Sequence, residues 1–138
     1  MPEKTVATKL ASTRGTKFRK INMSRKVSQC PRCGAMSKRH SIGHRRLREV
    51  GISGPTVLEV TYSKHYCETC RKHFSLPMSH LAQPSGRFTN RVRRTAVDLV
   101  IKQAMTLEKA TQRMRQKYYV HVPPTTLHDW VVAELTLA

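Results

Sequence analysis

Acidic side chains are scarce in this sequence: 8 Asp and Glu stand against 26 Lys and Arg in 138 residues, a net charge of +18. Solubility alone does not require so large an excess, and a polyanion is the expected partner. Long apolar runs are also missing. No stretch of 18 apolar residues occurs, and no basic amphipathic helix carries a bulky apolar face, so nucleic acid is favoured over a membrane. With 38% apolar residues the chain is poor in material for one large core, which points to two small modules. No secretory signal peptide is expected, because the first residues offer no apolar core for one.

Cysteine is sparse but patterned. The four cysteines form two Cys-x-x-Cys pairs, CPRC (Cys30, Cys33) and CETC (Cys67, Cys70). Without a secretory leader, thiols at this spacing favour a shared metal over disulfides. Zinc accepts four thiolates tetrahedrally, and each pair can fold into a knuckle that offers two sulfurs from one side. Pro31 stiffens the first knuckle, and Gly34 stands where a positive φ is often needed. Four thiolates complete the shell and leave no position for a catalytic water, so one structural Zn2+ is expected. His40, His44, His65, His73 and His80 lie in or near this region and are expected as strand or surface residues.

Residues 1–28 hold eight Lys and Arg against Glu3 and few apolar positions, the composition of a disordered basic arm. Such an arm is either a solubilising leader or a segment that follows phosphates. A mitochondrial targeting peptide shares the composition but needs an amphipathic face, for which apolar residues are too few. Residues 29–80 carry strand and turn signals. Ser37–Val50 and Thr56–Tyr66 are expected to form a hairpin about Gly51, Gly54 and Pro55, with HFSLP as a third short strand. Pro84, Ser85 and Gly86 suggest a linker over 81–88. In residues 89–138 three helices are expected. Thr89 or Asn90 caps the first, with Val92, Ala96, Leu99 and Val100 inward. Thr106 starts the second, with Leu107, Ala110 and Met114 inward, and YYVHV breaks it. The third begins at Pro123 and Pro124, with Leu127, Trp130, Val131 and Leu135 inward. The expected fold class is α+β: a small zinc ribbon followed by a helix-turn-helix-like domain.

Candidate DNA contacts follow from charge and from that geometry. Arg45, Arg46 and Arg48 fall on the first long strand, where alternation sends Arg46 and Arg48 to one face and Arg45 to the other. A solvated strand face is the competing reading. Arg91, Arg93 and Arg94 continue the positive character into the first helix. A third helix that enters the major groove would present Thr125, Thr126 and His128. It carries no Lys or Arg, and so lacks the arginine contact to guanine that dominates direct readout. The competing reading is a bundle that packs against a further segment or another subunit.

The order CPRCG, basic strand, CETCRKHFS, RFTNRVRR, TTLHDWV resembles, over residues 28–138, the N-terminal half of bacterial insertion-sequence transposases of the ISL-three type. The resemblance implies recognition of double-stranded DNA at transposon ends. The acidic catalytic triad of those enzymes, housed in a later domain, has no counterpart here, so a non-catalytic role is expected. The long basic arm and the acid-tinged third helix depart from the pattern. Expected further partners are a second copy or a transposase or assembly partner, and the expected location is bacterial cytoplasm, on the nucleoid. An adaptor that uses the same fold for protein contacts, and a zinc-ribbon protein bound to structured RNA, are the alternatives.

Overall fold

The computed structural model describes residues 15–84 and 86–137. The chain is α+β. A curled five-stranded sheet is built from β1 (Lys17–Met23), β2 (Val27–Gln29), β3 (Met36–Glu49), β4 (Thr56–Cys67) and β5 (Lys72–Ser75). The antiparallel β3–β4 ladder is its spine, running from Glu49↔Thr56 to Arg39↔His65, with one irregularity between Arg39 and Ser41. The other edge of β4 is shared end to end by β1, parallel to residues 56–62, and β5, antiparallel to residues 64–67. β2 pairs with the start of β3.

Alternation along the spine gives the sheet two unlike faces. Leu47, Leu58 and Val60 are fully buried on the inner face with Ala82, and Ile21, Met23, Met78 and Leu81 pack around them. Burial of each of these leucines contributes roughly 2 kcal/mol. The outer face carries His44, Arg46 and Arg48 on β3, opposite Thr61, Glu59 and Val57 on β4 and Asn22, Lys20 and Phe18 on β1.

Two expectations fail here. Residues 1–14 of the expected arm lie outside the described residues, but Lys17–Met23 and Val27–Gln29 are strands rather than a disordered tail. Their charged side chains stand on an edge strand, where cations are tolerated, and Ile21 and Met23 turn inward. Residues 81–88 are not a free linker. Ala82 is 2% exposed. Arg48 donates its backbone N–H to the Arg87 carbonyl and accepts from Thr89 N–H, so the segment extends the β3 edge.

Three helices follow: α1 (Asn90–Ile101), α2 (Leu107–Tyr118) and α3 (Pro124–Leu137). Thr89 caps α1 by accepting Val92 N–H, and Thr106 caps α2 by accepting Lys109 N–H. Val92, Ala96, Val97, Leu99, Ala110, Met114, Val120, Val122 and Leu127 form the second core, with Trp130 and Val131 against it. Leu135, expected inward, is 60% exposed. The YYVHV segment does more than break α2. Tyr119 takes a left-handed conformation, φ 58°, and turns the chain so that Val120 and Val122 are buried, the latter's carbonyl accepting from the Thr111 hydroxyl.

The two cores are joined at the hairpin end of the sheet. Buried Glu49 accepts the Thr89 hydroxyl at 2.7 Å and Val50 N–H at 2.9 Å through one carboxylate oxygen. One side chain thus ties β3 to the cap of α1, where the helix dipole favours an anion. Glu49→Ala leaves both donors without an acceptor and is expected to destabilise the protein by about 2–3 kcal/mol, read by denaturant unfolding. Glu49→Gln keeps an acceptor and loses less. Equal stability of all three proteins would contradict the role given to this carboxylate.

Candidate metal centre and candidate nucleic-acid interface

The hairpin delivers the cysteines to one place. Cys30 and Cys33 stand between β2 and β3, Cys67 ends β4, and Cys70 stands in the turn before β5. All four sulfurs lie within 4.8 Å of one another, with Cys33 to Cys67 at 3.5 Å and Cys30 to Cys70 at 4.0 Å. A tetrahedron of sulfurs 2.3 Å from a central ion has edges of about 3.8 Å. The cluster therefore fits a four-thiolate metal site. Both knuckles turn through a left-handed residue directly after their second cysteine, Gly34 at φ 77° and Arg71 at φ 54°. In the first, Gly34 N–H bonds the Cys30 carbonyl and Cys30 N–H bonds the Ala35 carbonyl.

The backbone prepares these thiols unequally. The Cys70 N–H aimed at its sulfur pulls the Cys67 thiol down to about 6, and the N–H groups of Cys33 and Arg32 pull Cys30 below its usual value. The hydrogen bond to Cys33, followed by burial, pushes Cys70 up to about 12. Above about 6, Cys67 is already a thiolate and an entering ion displaces the Cys70 proton. Below about 6 it must displace the Cys67 proton too. Metal affinity is therefore expected to fall with acidification, and more steeply on the acid side. Competition between the protein and a chromogenic chelator for zinc over a pH series measures this, and a flat profile would contradict it.

His65 is no substitute ligand. It is fully buried, and its Nδ1 faces the Ser37 carbonyl at 3.1 Å and therefore donates. Nε2 then accepts the Ser63 hydroxyl at 2.7 Å, and Ser63 accepts Arg25 N–H. Both ring nitrogens are used, and the segment crossing from β1 to β2 is pinned over the sheet.

The expected DNA-contact residues separate into groups. Arg46 and Arg48 share the outer face, as alternation requires. Arg46 lies over the Phe18 ring and 3.5 Å from Glu59, an exposed pair whose strength is under about 1 kcal/mol. Arg45 points the other way and bonds the carbonyls of Gln83 and Gly86. It is a clamp on the Gln83 and Gly86 backbone rather than a free cation. Arg93 lies over the Trp130 ring at 5.9 Å, and Arg93 and Arg94 line a groove with Asp98 and Glu134, while Arg91 is exposed. Thr125 and His128 are exposed on α3 and Thr126 is half-buried. His128 lies 3.5 Å from Asp129.

Residues that sequence reasoning passed over complete the outer face. A groove of about 630 Å³ is lined by Lys20, His44, Arg46, Glu59 and Thr61 among others. The next positions along the same face, Arg48 and Val57, belong to a second groove of about 530 Å³, closed by Arg115, Tyr119 and His121 from the end of α2 and the turn after it. Arg115 donates to His121 Nδ1 at 2.8 Å. Lys20, Arg46, Arg48 and Arg115 thus form one row that crosses from the sheet to the helices. Lys20 could have been found from the alternation Phe18, Lys20, Asn22 against Ile21, Met23. Arg115 has no sequence signal, because its place depends on how the helices dock. Among the described residues no helix is long and apolar enough to cross a membrane. No protein-family model matches this chain, and no curated protein and no solved structure does either.

Proposed function

We propose that this chain is a non-catalytic DNA-binding protein, or the DNA-binding part of a longer one. In this reading the cysteine end is a zinc ribbon that holds one structural Zn2+ through Cys30, Cys33, Cys67 and Cys70. The helices act as a helix-turn-helix-like unit. The observation that carries the reading is the row Lys20, Arg46, Arg48 and Arg115, in which Arg46 alone has a carboxylate partner, and a weak one. Such a row suits the phosphates of a duplex, since each neutralised phosphate releases a counterion. The N-terminal turn of α3, with Thr125, Thr126 and His128, is the proposed sequence reader. The resemblance to ISL-three-type transposases suggests transposon-end duplexes as its target. Zinc would supply folding free energy, and a four-thiolate shell offers no catalytic position.

Titration against terminal-repeat duplex, random duplex and folded RNA at two salt concentrations tests the proposal. Tight, salt-sensitive binding to duplex is expected, with the terminal repeat preferred. Weak, salt-insensitive binding would sink it, and tighter binding to folded RNA would move the reading to an RNA-associated ribbon. A second reading, an adaptor, has one observation in its favour. Val132 and Leu135 on α3 are 47% and 60% exposed, the type of surface that a second copy or an assembly partner covers.

A further inference from the structure

Among the described residues, the inner face of the sheet is covered only at its hairpin end. Beyond Val60 the same face of β4 presents Tyr62, Lys64 and Tyr66, none of them buried. Tyr62 lies across Gly43, where a Cβ would come within 2.4 Å of the ring. At the cysteine end His73, opposite Tyr66 on β5, has its ring centroid 4.9 Å from that of Tyr66 and 4.8 Å from that of His40. His40 and His73 are exposed, and the adjoining groove of about 430 Å³ is lined by Lys38, Arg39, His40 and Tyr66, with Glu68 as its one acid. Met36, 68% exposed, also lines this groove, but planar rings with cations between them dominate the face and are unlike a protein core cut open. They match what single-stranded nucleic acid requires, because every base has a face to stack while the backbone seeks positive charge.

We infer that this face, centred on Tyr66, His73 and His40, is a stacking platform for unpaired bases, with Lys64, Lys38 and Arg39 meeting their phosphates. It lies on the opposite side of the sheet from the row Lys20, Arg46, Arg48. Tyr62 and Tyr66 are four residues apart on one strand, roughly 13 Å, which leaves room for more than one nucleotide between them. The inference deepens the nucleic-acid reading above and rests on it for the class of ligand. It adds that duplex and single strand are held on two different faces, so an opened DNA end could be bound on both.

The test uses the full chain loaded with zinc, a thymidine strand of about ten nucleotides, an abasic strand of equal length and charge, and a duplex. The thymidine strand is expected to bind roughly fivefold to 150-fold more tightly than the abasic one. Tyr66→Ala is expected to remove most of that difference and Tyr66→Phe to keep it, with duplex affinity unchanged in both. Arg46→Ala with Arg48→Ala should weaken duplex and spare the preference for bases over abasic backbone. Equal binding of thymidine and abasic strands by the unaltered protein would overturn the platform whatever the variants do. If duplex still binds in that case, the general reading stands; if neither strand nor duplex binds, both fall.

Discussion

Cys67→Ser should empty the metal site and unfold the cysteine end of the sheet. Cys67 is 1% exposed, it ends β4, and its sulfur lies 3.5 Å from that of Cys33 and 3.4 Å from the Cys70 N–H. The segments it joins are weak on their own. β2 and β5 are 3 and 4 residues long, and the sheet's buried cluster of Leu47, Leu58, Val60 and Ala82 is centred toward the hairpin end. Apolar burial therefore contributes little near the cysteines, and strands this short do not persist without further ties. Structural zinc sites of this type supply on the order of 10 kcal/mol of folding free energy, more than any side-chain contact described for this chain. If the site holds the proposed zinc, the expected result is a fall in bound zinc from one per chain to almost none, with rapid proteolysis within residues 24–40 and 64–75. The helices keep their own core and should lose less. Chelation of the unaltered protein should reproduce the same pattern. Full zinc stoichiometry in Cys67→Ser, with unchanged proteolysis, would refute the four-thiolate site. Serine is nearly isosteric, so a packing defect alone would not mimic the loss.

What could be foreseen in the sequence is what short-range chemistry dictates. The Cys-x-x-Cys pairs, the β-branched run of β4 and the threonine caps at Thr89 and Thr106 each act within a few residues, and each lies where it was expected. Features that depend on distant partners could not be read. β1 is a strand because β4 offers it a parallel edge across more than thirty residues, and its three cations within seven positions hide the inward pair Ile21 and Met23. Residues 81–88 carry the proline and glycine of a linker, yet the free edge of β3 captures their backbone, and no side-chain pattern announces a backbone bond. Arg45 looked like one more cation in HRRLR; its use as a clamp follows from where the Gln83 and Gly86 backbone passes. Leu135 fits the helical period, but α3 continues past the end of the core it would join. Periodicity tells which face a residue shares, not whether a neighbour covers it.

The row of cations across the outer face gives the second large effect. In the double variant Arg48→Ala, Arg115→Ala, duplex affinity is expected to fall about tenfold or more for each arginine, the strength of a charge-assisted contact. The slope of log affinity against log salt should flatten by about 0.9 for each lost phosphate contact, close to 2 for the pair. Both side chains are exposed, and the Arg48 backbone keeps its bonds to Arg87 and Thr89 whatever its side chain is, so folding should be spared. Arg45→Ala supplies the contrast. It releases the carbonyls of Gln83 and Gly86 and should lower stability while leaving the salt slope alone. A solvated, functionless face predicts the reverse: Arg48 and Arg115 could be removed with no change in binding. Sequence preference is a separate matter, because phosphate contacts fix position without reading bases. If α3 is the reader, Thr126→Ala shifts which sequences are selected from a random pool and leaves the slope intact. If only the slope responds to these variants and Thr126→Ala alters nothing, the row of cations from the sheet to Arg115 holds DNA without a reading helix, and the exposed side of α3 is free for another chain.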